Sequence, residues 1–161
     1  MTDFYQAWSL SRGRYLDEIV GLNQAQLNFR LYPSALTIGE AAIHVAGIET
    51  RFASGIDGLT LDPFLERVLT TATEGVVNDH PFPFSSEEIT PELVARALDA
   101  SKAIWEPIVL DPTPERRAAP LVSVLGPAIT GEGAMARLAF HAGYHQGQAY
   151  QIKNAPDFPS T

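Results

Sequence analysis

The sequence predicts an all-α fold, four main helices packed as a bundle with long connections between them. Three observations carry this. Apolar residues recur every three or four positions in four separate segments, two of those segments open on capping signatures, and no stretch alternates with period two long enough to build a sheet. The 161 residues are read as a single domain spanning 1–161, long enough to bury a core and too short for a second one.

The first helix is expected from Phe4 to Leu27, where Phe4, Trp8, Tyr15, Ile19 and Leu22 keep the helical spacing with charges between them. Residues Asn28 to Leu36, with Pro33 and Ser34, break it. Thr37-Ile38-Gly39-Glu40 then reads as a capping box, in which the threonine accepts from the third helical N–H and the glutamate reaches back. The second helix runs on through Ile38, Ala41, Val45, Ile48 and Phe52, with Gly55 as its stop.

After the turn Asp57-Gly58, Asp62 to Thr73 suits a shorter helix, while Gly75 to Ser86, with Pro81 and Pro83, is an irregular connection. Thr90-Pro91-Glu92 supplies an N-cap followed by proline at the first helical position, and Leu93, Val94, Ala97, Leu98, Ile104 and Trp105 carry the third helix towards Pro107. Asp111 to Gly131 holds four prolines and is a second irregular connection, in which Leu121 to Leu125 is the one short strand candidate. The fourth helix runs from Glu132 to Lys153 with Met135, Leu138, Ala142, Ala149 and Ile152 on one stripe, before a polar tail containing Pro156 and Pro159.

Composition excludes several functions. The formal net charge is −8, so a phosphate backbone is a poor partner and nucleic-acid binding is not expected. The absence of cysteine removes disulfides, a thiol nucleophile and thiolate metal sites together, which leaves His, Asp and Glu as ligands. Charges interrupt the first twenty residues, and no segment approaches the ~20 apolar residues of a membrane span, so the expected protein is cytoplasmic and unattached to membranes.

The histidines carry the chemical signal. His141 and His145 stand at i, i+4, which puts both imidazoles on one helix face. At about 100° per residue, His145 falls within the apolar stripe of the fourth helix and His141 about 40° from its centre, whereas His44 lies roughly 70° from the centre of the second helix's stripe. Several imidazoles facing one core need a shared partner, and a divalent cation is the simplest. Three imidazoles with one open position make the ligand set of a catalytic zinc-type site. The plain alternative is a set of hydrogen-bonded core histidines, since an i, i+4 pair arises readily by chance. No glutamate follows His141, so the HExxH protease pattern is absent, as is a Gly-x-Ser-x-Gly nucleophile motif.

His141-Ala142-Gly143-Tyr144-His145-Gln146-Gly147-Gln148 resembles the HxxxHxGQ signature of the DinB/YfiT-like superfamily, and Thr37 to Ala46, which contains His44, is similar to its second-helix motif. The resemblance implies a four-helix bundle with a long crossover connection after helix two, and a homodimer. It implies His44, His141 and His145 as ligands of one divalent ion, zinc, nickel or iron. It also implies a metal-dependent enzyme for small-molecule substrates: a thiol S-transferase using mycothiol, bacillithiol or glutathione, or a hydrolase in which the ion activates water. A non-catalytic metal-binding stress-response protein is the contrasting class.

Around the ligands, Gln148 lies near enough in the helix to hydrogen-bond a ligand imidazole, or else is solvated. Glu49 is read as a solvated carboxylate, with a role beside the histidines as the second choice. His80, in Asp79-His80-Pro81, is a surface loop residue. Ala139, Gly143 and Gly147 form a small-residue ridge where another helix can approach, in the same bundle or in a dimer. An all-histidine site is expected to lose metal as pH falls through the imidazole range around 6.5.

Overall fold

The computed structural model describes residues 2–160 and is mostly helical. Thr2 caps α1 (Asp3–Ile19) by accepting the Tyr5 N–H. The first helix ends sooner than its periodicity suggests. Gly21 adopts φ 78°, a left-handed conformation that a helix cannot continue through, and Asn23 opens a separate short α2 (Gln24–Leu27) with its own capping box to Gln26.

The capping box expected at Thr37 and Glu40 is present and starts α3 (Ile38–Asp57), which runs past Gly55 and is closed by Gly58 at φ 63°. Every residue of α3 from Ile38 to Thr50 is buried. A helix that is apolar on all sides is one with neighbours on all sides. Gly39 and Gly47 make the close approaches possible. A Cβ at Gly39 would come 2.4 Å from Ile89, and one at Gly47 would come 2.3 Å from Thr71 Oγ1 and 2.7 Å from the Val68 carbonyl.

Asp62 caps α4 (Pro63–Thr70) and Thr90 caps α5 (Pro91–Leu110), each followed by proline at the first position. Pro107 lies inside α5 instead of ending it: it falls in the last turn, and the N–H of Asp111 still reaches the Pro107 carbonyl. The connection after α5 contains more structure than expected. It forms α6 (Pro114–Ala118) and an antiparallel hairpin of β1 (Pro120–Val122) and β2 (Ala128–Thr130), paired Leu121 to Ile129. The strand candidate is thus shorter than Leu121 to Leu125, because a tight turn closed by the Ser123 N–H on the Pro127 carbonyl, with Gly126 at φ 100°, reverses the chain. Finally α7 (Gly131–Lys153) returns along the whole molecule.

The four long helices close a ring of contacts. Helix α1 packs on α7 and α5, and α3 packs on α5, α7 and α4. Inside the ring the apolar core falls into two halves. One centres on Tyr15, Ile43, Leu98 and Ala142, the other on Trp8, Phe52, Trp105 and Met135. A buried polar layer separates them: along their helices Arg12 stands between Trp8 and Tyr15, Glu49 between Ala46 and Phe52, and Ser101 between Leu98 and Trp105.

That layer corrects the reading of Glu49 as solvated. Its side chain is 1% exposed; Oε1 accepts from Trp8 Nε1 at 2.8 Å and Arg12 Nε at 3.0 Å, and Oε2 accepts from Ser101 Oγ at 2.6 Å. Glu49 follows Val45 by four residues and precedes Phe52 by three, so it shares their inward face. Arg12 likewise interrupts the Trp8, Tyr15, Ile19 stripe of α1. Two opposite charges at apolar-stripe positions were a readable sign of a buried pair.

The small-residue ridge is used inside the chain at Gly143, whose N–H donates to Ser11 Oγ of α1 at 2.8 Å, while Gly147 faces open space. Among the described residues, no helix is long and apolar enough to cross a membrane.

Candidate metal centre

His44 sits in the fully buried stretch of α3, and His141 and His145 sit one turn apart on α7, the helix packed against it. The rings meet: centroids are 5.1 Å apart from His44 to each of the other two and 4.7 Å apart between His141 and His145. One ring nitrogen of each lies within 4.8 Å of the others, close enough to hold a single metal ion. The ~70° offset of His44 from its stripe is no obstacle, because α3 has neighbours on every side.

Tautomers follow from the hydrogen bonds. His44 Nδ1 donates to the Thr71 carbonyl at 2.8 Å, and His145 Nδ1 donates to Gln148 Oε1 at 2.7 Å, leaving Nε2 of each as an unprotonated acceptor. Thr71 is itself fully buried at the end of α4, with its hydroxyl against Ile43 and Val68. The short helix α4 therefore sets the orientation of His44, and Gln148, the second glutamine of the motif, sets that of His145. Such outer contacts on ligand imidazoles tune metal sites generally.

His141 completes the set. Its Nε2 lies 3.3 Å from Nε2 of His145, and its buried Nδ1 has no hydrogen-bond partner. If the His141 proton is on Nδ1, two lone pairs face each other; if it is on Nε2, a bare nitrogen is buried unpaired. A cation between the two Nε2 atoms removes the opposition. Two nitrogens bound at 2.0–2.1 Å with a tetrahedral angle stand about 3.3 Å apart, which is the spacing found. The donor set, its geometry and its unresolved lone pairs fit a divalent metal.

All three imidazoles are held neutral. Burial lowers His44; burial, then the neighbouring His145 and His44, pushes His141 down to about 2; burial and His44 push His145 down to about 3. These shifts bear on the expected pH dependence: the less proton a folded imidazole carries near pH 6, the less a metal has to displace there. His80 stands apart, exposed in its loop, with Nδ1 2.5 Å from Glu74 Oε2.

The cluster opens to solvent through a cleft with two lobes, and His44 and His141 line both. The first, about 370 Å³, is walled mainly by apolar side chains including Ile48, Phe52, Leu138 and Phe140. The second, about 800 Å³, is more polar, with Tyr32, Ser34, Gln148 and Gln151 among its walls. Sequence reasoning placed Ile48, Phe52, Leu138 and Gln148 on their helices but missed the remaining walls. Those missed come from the 31–36 connection, Val77 and the hairpin loop at Leu125, segments with no periodicity to read.

No protein-family model and no curated protein matches the sequence. Among solved structures the chain is similar to a conserved protein from Enterococcus faecalis, with TM-score 0.68 and 15% identity over 95% of this chain and 96% of that one. At that identity the likeness concerns the fold alone, shared over nearly the full length of both chains.

Proposed function

We propose that the chain is a DinB-like, divalent-metal-dependent enzyme that transfers a low-molecular-weight thiol to an electrophilic carbon. The four long helices are the bundle of this reading, and the segment from α4 to the start of α5 is its crossover. The observation that carries it is the three-imidazole cluster beside two open lobes of different polarity, with His44 and His141 lining both and His145 the more polar one. A sealed structural site has no use for such a cleft.

Nε2 of His44, His141 and His145 would hold the ion, and three imidazoles suit zinc, nickel and iron alike. A divalent ion there supplies a Lewis acid that keeps a bound thiol ionised at neutral pH. The remaining work falls to the chain. Thr71 and Gln148 fix the ring planes, the walls of the apolar lobe exclude water and seat the electrophile, and the amides and hydroxyls of the second lobe receive the polar body of a thiol such as mycothiol, bacillithiol or glutathione. In the transfer a sulfur–carbon bond forms, and the electrophile's leaving group departs or its adjacent atom takes up the proton.

One feature of the walls supports transfer over hydrolysis: among the described residues no carboxylate lines either lobe, so activation of water and protonation of a leaving group would rest on the metal alone, whereas the polar lobe can seat the body of a thiol. Protein purified without an affinity tag, assayed for metal and then incubated with each thiol and an electrophile such as monochlorobimane, tests this by mass spectrometry of the thioether. Ester hydrolysis without added thiol would point instead to the hydrolase, and a bound metal with neither activity to a non-catalytic metal protein.

A homodimer built through helix faces belongs to the same reading. It is supported by large exposed apolar side chains on the adjoining helices α1 and α7, Leu10 and Tyr150 among them. Sedimentation at micromolar concentration decides it, a single monomeric species being the contrary result.

A further inference from the structure

Arg137 lines the apolar lobe beside Leu138 and Phe140, one helical turn before His141 on α7. Among the described residues it is the one Lys, Arg, Asp or Glu that lines either lobe. Arg12, Arg30, Arg67, Arg116 and Arg117 each pair with a carboxylate, whereas Arg14, Arg51 and Arg96 do not and lie outside both lobes. No carboxylate pairs with Arg137, although acidic residues outnumber basic ones 19 to 11 in the chain. Its one hydrogen bond runs from a guanidinium nitrogen to the hydroxyl of Ser123, which is itself 2% exposed and also lines the lobe. A guanidinium held by a buried hydroxyl at an apolar wall, with donors to spare and no counter-charge, is arranged to receive an anion from outside.

We infer that Arg137 is the specificity residue of the apolar lobe and that the electrophile taken there is an apolar molecule bearing a carboxylate. The inference deepens the proposed function and rests on its reading of the lobes as a substrate cleft. Side chains on a helix lean towards its N-terminus, so Arg137, His141 and His145 form a column along α7 with the guanidinium at the outer end and the imidazoles further in. Successive members of that column are about one turn, ~5–6 Å, apart. A carboxylate on the guanidinium fork thus leaves a short aryl or alkyl body against Ile48, Phe52 and Leu138, with its far carbon directed at the histidine cluster. The planar fork matches the two oxygens of a carboxylate in a bidentate pair, which a lysine at this place would not do.

The test is binding, without thiol and without turnover. The protein as purified is titrated calorimetrically with 4-phenylbutyrate and with its neutral isostere 4-phenylbutanamide. The acid is expected to bind about ten-fold or more tightly than the amide, as a charge-assisted pair in an apolar setting gives. In Arg137→Gln that preference is expected to fall to near unity while amide affinity and metal content stay unchanged. Arg137→Met, of similar apolar length, provides the same comparison should the glutamine variant fold poorly. Equal binding of acid and amide by the unaltered protein overturns the inference. So does a preference for the acid that survives loss of Arg137, since the carboxylate would then be held elsewhere in the cleft. Failure of thiol transfer alone leaves this contrast standing, and loss of the contrast leaves the thiol assay unaffected.

Discussion

Each site histidine has a distinct local reason for its state. His44 is turned by the Thr71 carbonyl and His145 by Gln148, while His141 is left with a buried nitrogen that nothing in the chain satisfies. Removing one ligand leaves two imidazoles and weakens the hold on a cation severely. His145→Ala is therefore expected to abolish bound metal and His80→Ala to leave it unchanged, as measured by elemental analysis of the purified variants. The lowered pKa values make a second prediction. With His145 near 3 and His141 near 2 in the fold against about 6.5 unfolded, the unfolded chain binds more protons below pH 6.5. The contribution of these imidazoles to stability is fully present above that pH and is lost as pH falls towards 3. The metal-free protein should lose stability on acidification at up to ~1.4 kcal/mol per pH unit for each imidazole, measured by urea unfolding. Metal binding to the folded protein near pH 6 should release fewer protons than three free imidazoles would, which calorimetry in two buffers of different ionisation enthalpy reads directly.

At the scale of elements, the link between α3 and α4 is what turns His44. Gly47 lets the end of α4 come against α3, and the same contact brings the Thr71 carbonyl to the imidazole one turn away. Gly47→Ala places a methyl within 2.3 Å of Thr71 Oγ1 and 2.7 Å of the Val68 backbone. Overpacking of this kind costs about 1–3 kcal/mol. The substitution should lower the urea midpoint by a corresponding amount and weaken metal binding as well, although residue 47 touches no metal. A variant that loses stability with unchanged metal affinity would show that α4 does not govern the ligand. Sequence patterns revealed most of the long helices because they depend on local period and capping: Thr37 with Glu40 and Thr90 with Pro91 mark their starts without reference to the rest of the chain. The end of α1 at Ile19, just before the left-handed Gly21, and the hairpin strand Ala128–Thr130 were not visible that way. The first is a single backbone conformation inside an unbroken apolar period, and the second is too short to show alternation.

At the scale of the molecule, the polar layer of Arg12, Glu49 and Ser101 ties α1, α3 and α5 together between the two halves of the core. A pair this deeply buried adds little over a well-packed apolar replacement, but removing one member strands the other charge at a cost of about 3–5 kcal/mol. Glu49→Leu is thus expected to destabilise the protein by that amount in urea, while the double change Arg12→Met with Glu49→Leu should recover much of it. A single variant within about 0.5 kcal/mol of the parent would contradict the burial of the pair.

The sequence by itself determined the helical class, the starts of the long helices and the candidate ligands, because periodicity, capping and the i, i+4 spacing of His141 and His145 are properties of neighbours along one chain. Only the tertiary structure decided that His44 from another helix joins that pair, that Glu49 is buried, and that the cluster opens on two lobes, one carrying Arg137. Those facts depend on which helix faces meet and on where aperiodic connections come to rest. Packing across the whole chain fixes them; local pattern offered only hints, the motif around His44 and the opposite charges of Arg12 and Glu49 at apolar-stripe positions.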